Sequence, residues 1–335
     1  MGTQALHENY DVALLDLDGV VYLGSAAIPS APPALQRAKA AGMRLAYVTN
    51  NASRTPAAVA ELLRSMDVPA DTSDVVTSPQ AAARVLADKL PVGARVLVVG
   101  SMALRMAVRE RGLRPVTTAL EKPQAVVQGY APGVDYAALA EGGLAVRAGA
   151  LFVATNADST LPGPHGIQPG NGSLVRVIAY ASGVEPLIAG KPELPLHRES
   201  TIRTGARNPL VVGDRLDTDI EAACRAGADS LLVLTGVSGA ADLPVAPPER
   251  RPTYLALTLD ALTEPYPDVV PKEDGYFCGG WTARWAGDVI TLDGSADGPS
   301  GSAPIDGLRA LCRAAWSREG TSAAAVAAAL DSLKL

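Results

Sequence analysis

Leu14–Gly24 reads LLDLDGVVYLG. The apolar residues around it make Asp11–Leu17 a short buried strand that turns at Asp18-Gly19. In an open parallel sheet, ligands bind beyond the carboxyl ends of the strands. Asp16 and Asp18 stand at that end, and residues two apart in an extended segment point the same way. Two carboxylates about 4 Å apart repel by about 4 kcal/mol at an effective dielectric of about 20. A shared proton or a cation must offset that cost. Gly19 permits the tight exit that a close phosphate or metal approach requires.

A second acidic group ends another apolar run: Val211-Val212-Gly213-Asp214, then Arg215-Leu216-Asp217-Thr218-Asp219. If the two strands are neighbours, three or four carboxylates converge, and hard oxygen ligands in that number suit Mg²⁺. Asp217 reads as solvated or as a local cap. Thr49-Asn50-Asn51 ends a third strand and offers a hydroxyl, amides and backbone N–H groups, with a second role as a helix-capping turn. Lys191 sits in Gly190-Lys191-Pro192. A lysine, phosphate-binding amides and a magnesium site point to phosphoryl transfer.

Around these marks the chain alternates strand and helix. Met43–Val48 and Asp74–Thr77 read as strands, and helices follow Thr55-Pro56 and Ser78-Pro79. The strands do not alternate in polarity, which predicts a doubly wound parallel sheet covered on both faces. A second α/β unit follows Pro91–Gly93, with strands at Arg95–Val99, Ala125–Gln128 and Leu151–Ala154. It closes with a Gly/Pro-rich loop, Leu161–Gly172, and a helix over Ser173–Ala181. The first pattern then resumes, with strands at Leu210–Val212 and Ser230–Leu234 around a helix over Asp219–Ala226. The expected division is a discontinuous core (1–90 and 185–264), an insert (91–184) and an accessory extension (265–335). In the extension, Trp281–Leu292 reads as a hairpin, Asp293–Pro304 as a linker, and Ile305, Leu308, Leu311 and Trp316 as one helix face. That face needs cover, from the rest of the chain or from a second copy in a homodimer.

Composition narrows the function. The chain has 335 residues, 48% hydrophobic and 19% charged, with a net charge of −6, so it has no basic excess to hold nucleic acid. Its three cysteines form no C-x-x-C pair, which argues against a disulfide framework or a zinc knuckle. No run approaches the roughly 20 apolar residues of a membrane span. With no basic, apolar leader in the first ten residues, the expectation is a cytoplasmic protein without a membrane or nucleic-acid partner. Gly183–Lys191 spaces its glycines wrongly for a P-loop, and Val98–Ala103 is not G-x-G-x-x-G. The histidines at 7, 165 and 197 are scattered; only His165, in the insert's loop, is placed to touch a substrate.

The ordered set DLDGV, TNN, GKP and GDRLDTD resembles the haloacid dehalogenase superfamily of phosphatases. The insert between TNN and GKP, with ATNADSTLP at Ala154–Pro162, resembles the cap of the type IIA (C2-capped) subfamily. The resemblance covers roughly residues 10–264. It implies an α/β fold: a HAD-like doubly wound core, an inserted α/β C2-type cap and a small C-terminal extension. It also implies Mg²⁺-dependent hydrolysis of small phosphorylated metabolites. Glycerol 3-phosphate is the expected substrate, with phosphoglycolate, pyridoxal phosphate and nucleotides as alternatives. On these residues Asp16 would be the nucleophile and Asp18 the general acid–base. Mg²⁺ would rest on Asp16, the Asp18 carbonyl and Asp214. Thr49, Asn50, Asn51 and Lys191 would hold the phosphoryl group, Asn156 and Asp158 would meet the substrate from the cap, and Asp219 would orient Lys191 or metal-bound water. A phospho-receiver also clusters Asp, Thr and Lys, but needs neither Asp18 nor the cap. A phosphomutase of the same superfamily stays open.

Overall fold

The computed structural model describes residues 4–163, 165–294 and 303–335. The chain forms two compact units, Met1–Leu45 with Asn208–Leu335, and Ala46–Arg207. The division falls within the strand Arg44–Thr49.

In the first unit four parallel strands lie in the order Tyr254–Ala256, Asp229–Val233, Pro209–Gly213, Val12–Leu15. Val12–Leu15 is buried along its whole length, and Pro209–Gly213 and Asp229–Val233 are buried beyond their first residue. That is the pattern of strands covered on both faces. Leu15 pairs with Val212 and Gly213 with Leu232, so the strands end level with one another. The helix expected from Asp219 begins earlier, as a π-helical turn over Leu216–Ile220, and continues as Glu221–Ala226.

The extension is larger than a hairpin. Val270–Lys272, Gly275–Cys278, Trp281–Ala286 and Val289–Asp293 form a four-stranded antiparallel sheet in that order. The helices Pro304–Trp316 and Ala323–Leu333 follow; residues 295–302 of the expected linker lie outside the described residues. Trp281, Ile290, Ile305, Leu308 and Leu311 join Ile220, Leu232, Leu243 and Leu255 in one apolar cluster. The extension's apolar face is therefore covered by the parallel-sheet part of the same unit. Polar anchors reinforce the packing: the Trp316 indole donates to the Leu243 carbonyl at 3.0 Å, and Arg309 donates twice to the Leu255 carbonyl, at 2.9 and 2.7 Å.

In the second unit Arg44–Thr49 pairs in parallel with Val75–Thr77. A separate five-stranded parallel sheet runs Leu187–Ile188, Leu151–Ala154, Ala125–Gln128, Arg95–Val99, Arg114–Val116. The helices Tyr136–Arg147 and Asn171–Ser182 pack Val146, Val175 and Ile178 onto Leu97, Val126 and Phe152. The loop expected over Leu161–Gly172 contains a hairpin instead, Thr160–Gly163 with Gly166–Pro169. The helix Leu194–Thr204 has little apolar periodicity to announce it. Its Glu199 is fully buried and paired with Arg84, Arg111 and Arg203, so charge rather than an apolar stripe fixes it.

Candidate active site

The first unit carries the acids. The Asp16 N–H donates to the Val212 carbonyl at 2.8 Å, extending the ladder one residue past Leu15 and setting Asp16 beside the end of the neighbouring strand. Asp214 and Asp219 are buried. One carboxylate oxygen from each of Asp16, Asp214 and Asp219 lies within 4.8 Å of the other two. Glycine makes the space. A β-carbon on Gly19, which sits at φ +85°, or on Gly236 would overlap the Asp214 carboxylate, and one on Gly213 would overlap Asp219. The Val237 N–H donates to Asp214 Oδ2 at 2.7 Å, and the Arg215 N–H donates to Asp219 Oδ2 at 3.2 Å. The Thr235 hydroxyl donates to the Gly19 carbonyl at 2.6 Å, tying the loop after Asp229–Val233 to the turn after Val12–Leu15. That loop, Thr235–Ser238, carries no sequence motif: it acts through the Val237 N–H and the hydroxyls of Thr235 and Ser238, which are common groups without a telling spacing. Gly236 was its only signal.

Asp219 was expected to orient other groups; its carboxylate is one of the three that meet. The π-helical turn brings it hard against Gly213. Asp18 does not join the three. It lies exposed in the turn, where the Gly19 N–H donates to the Tyr22 carbonyl at 2.8 Å. Desolvation of the Asp18 carboxyl raises its pKa above the ordinary value, against the opposing hydrogen bond from the Gly24 backbone. Asp217 is held by the Arg215 guanidinium at 3.0 and 2.8 Å, which lowers its pKa and keeps it as a local ion pair.

The second unit gathers the amides and the lysine. Thr49 closes its strand, and its Oγ1 accepts the Asn51 N–H at 3.1 Å. Asn51 is exposed, and its Oδ1 accepts the Ser53 N–H at 2.8 Å, which is a turn device. Asn50 is the centre of the group. Its Oδ1 accepts the Lys191 N–H at 2.9 Å, and its Nδ2 donates to the Lys191 carbonyl at 3.3 Å and to the Asp158 carboxylate at 3.3 and 3.4 Å. Its carbonyl accepts from Asn156 Nδ2 at 2.8 Å and from the Ser78 hydroxyl at 2.7 Å. Gly190 allows this closeness, since a β-carbon there would lie 2.6 Å from the Thr155 carbonyl oxygen. Lys191 is buried. Asn156 and Asp158, expected to reach a substrate, thus hold Asn50. Ser78, legible in the sequence only as the start of a helix, joins this group through its hydroxyl. His165 is exposed in the hairpin turn.

Residues 13–114 match the family model of the haloacid dehalogenase-like hydrolases, and residues 188–262 match that of the HAD-hydrolase-like family. The chain is 43% identical over 318 residues to D-glycerol 3-phosphate phosphatase of Mycobacterium tuberculosis, covering 93% of this chain and 88% of that relative. The chain belongs to the haloacid dehalogenase-like hydrolases. Among solved structures of such hydrolases, glycerol phosphate phosphatase from Mycobacterium tuberculosis in complex with magnesium superposes with a TM-score of 0.86 at 40% identity, over 98% of each chain. The same enzyme in complex with calcium gives a TM-score of 0.87 at 41% identity, over 95% of this chain and 92% of that one. A 5'-nucleotidase of Bacillus subtilis is 38% identical over 259 residues, 77% of this chain and 98% of the relative. Residues 278–335, in the extension, match a GCN5-related N-acetyltransferase-like domain. Among the described residues no helix is long and apolar enough to cross a membrane. This haloacid dehalogenase-like hydrolase is an enzyme of the phosphoric monoester hydrolase class.

Proposed function

We propose that this chain is a Mg²⁺-dependent phosphatase of small phosphate monoesters, with glycerol 3-phosphate as its substrate. The meeting of Asp16, Asp214 and Asp219 at adjacent parallel strand ends carries the reading. Carboxylates this close repel unless a cation lies among them. Their hard oxygens, in a cradle that only glycine leaves open, fit Mg²⁺. Asp16, Asp214 and the Asp18 carbonyl would hold the ion, with Asp219 beside them. Bound there, it supplies charge neutralisation for the phosphoryl oxygens.

Asp16 attacks phosphorus and becomes an aspartyl-phosphate. Asp18 gives its proton to the leaving alkoxide, then takes one from the water that cleaves the acyl phosphate. Its raised pKa favours the protonated form that the first step needs. Thr49, Asn50, Asn51 and Lys191 hold the phosphoryl group. Asn156 and Asp158 act by fixing Asn50, through the hydrogen bonds that support this reading. We assign residues 1–90 and 185–264 to the catalytic core, 91–184 to the C2-type cap and 265–335 to an accessory extension. Three free thiols, Cys224, Cys278 and Cys312, support a reducing, cytoplasmic location.

The test is kcat/KM with Mg²⁺ on glycerol 3-phosphate, phosphoglycolate, pyridoxal phosphate and a nucleoside monophosphate. Glycerol 3-phosphate is expected to lead. A higher value for another ester overturns the substrate, and no turnover of any ester overturns the phosphatase.

A further inference from the structure

Where the extension meets the edge of the parallel sheet, the first unit holds a cavity of about 630 Å³. Arg251, Tyr254, Tyr266, Asp268, Arg313 and Trp316 line it. It opens at the amino end of the edge strand Tyr254–Ala256, whereas the acids lie at the carboxyl ends of the strands parallel to it. Its volume falls in the range of small-molecule sites, about 300–1,000 Å³.

We propose that this cavity is a second ligand site, for a small organic anion that joins an aromatic ring to a carboxylate or phosphate-type head. The aromatic walls are fixed in advance. The Tyr266 hydroxyl accepts the Leu255 N–H at 2.8 Å, and the Tyr254 ring meets the Tyr266 ring edge-on with centroids 4.9 Å apart. The Trp316 indole is anchored on the Leu243 carbonyl at 3.0 Å. Arg251 is held as well: its Nε donates to the Ala246 carbonyl at 3.0 Å, and its guanidinium lies 5.7 Å from the Trp316 ring centroid. Preformed rings and a fixed guanidinium cost little ordering entropy when a planar ligand enters.

Arg313 supplies the free charge. It is exposed and has no hydrogen-bond or ion-pair partner among the described residues. Two guanidinium groups against the single carboxylate of Asp268 leave the cavity positive in a chain of net charge −6. A positive concavity draws anions, and the planar guanidinium fork matches a carboxylate or phosphate. The walls come from both the sheet and the extension, so an occupant would fasten one to the other.

The test uses the full-length protein with Mg²⁺, and each probe is also assayed as a competitor of phosphate-ester turnover, which separates binding at the catalytic site from binding in the cavity. Phenylacetate and phenylphosphonate are titrated separately by calorimetry, and thermal melting is followed in parallel. Saturable binding of either probe with a rise in Tm is expected, and the tighter probe identifies the head group. Arg313→Glu should weaken binding at least about tenfold, with Arg313→Lys between it and wild type and kcat unchanged. No saturable binding of either probe, or equal affinity in Arg313→Glu, overturns the proposal.

Discussion

Asp214 occupies space that Gly236 leaves open: a β-carbon on Gly236 would overlap the Asp214 carboxylate, whose Oδ2 accepts the N–H of the next residue, Val237, at 2.7 Å. Gly236→Ala must push Asp214 away from Asp16 and Asp219. A displacement of about 1 Å at a catalytic group costs about 10²-fold in rate. A loss of that order is expected, with a higher Mg²⁺ requirement and an unchanged circular dichroism spectrum. Wild-type kinetics would show that Asp214 needs no such cradle.

Asp16→Asn keeps the side-chain volume and, in the proposed mechanism, removes both the nucleophile and a metal-binding charge. Turnover should vanish while the melting curve persists. Retention of more than a small fraction of the rate removes Asp16 from the nucleophile's place.

Asp158 accepts the Asn50 amide at 3.3 and 3.4 Å, and in the proposed mechanism it acts through Asn50. Asp158→Ala should therefore lower kcat/KM for glycerol 3-phosphate and for pyridoxal phosphate by a similar factor. A changed ratio between the two esters would mean that Asp158 meets the leaving group itself.

Glu199 is fully buried and paired with three arginines from separate stretches of the second unit. Glu199→Gln removes the charge that all three share, and breaking a buried pair costs about 3–5 kcal/mol. Urea unfolding should show a loss of that size. A change below about 1 kcal/mol would mean that the arginines are already solvated.

Arg309 is buried, with Nη1 donating to Asp306 at 2.6 Å and its guanidinium 4.2 Å from the centroid of the Tyr266 ring. Arg309→Met leaves the Asp306 carboxylate and the Leu255 carbonyl without their donor. A loss of about 3 kcal/mol is expected, with the Mg²⁺ dependence of catalysis unchanged. Arg309→Met combined with Asp306→Leu should recover part of it. Loss of metal dependence in the single variant would give the extension a part in catalysis.

The sequence by itself determined the parallel strands and the acids at their ends, because both signals are local. An unbroken apolar run suits a strand covered on both faces, and Asp16, Asp18 and Asp214 follow such runs directly. DLDGV, TNN, GKP and GDRLDTD likewise carry the family in residue identity and order. Tertiary structure decided what depends on groups distant in sequence or on backbone atoms. Asp219 joins Asp16 and Asp214 because a π-helical turn redirects it, and no residue type announces that turn. The loop Thr235–Ser238 serves through the Val237 N–H, which every non-proline residue owns, and through two hydroxyls whose partners are distant in sequence. Leu194–Thr204 is a helix that a buried carboxylate holds, so its period is not apolar. The hydrogen bonds of Asn156 and Asp158 with Asn50, more than a hundred residues away in the chain, were likewise decided only by the fold. The cover for the extension's apolar face was also out of reach of the sequence. An amphipathic pattern states that a face must be buried, and only the packing of Leu308 and Leu311 with Leu232 and Leu255 states against what.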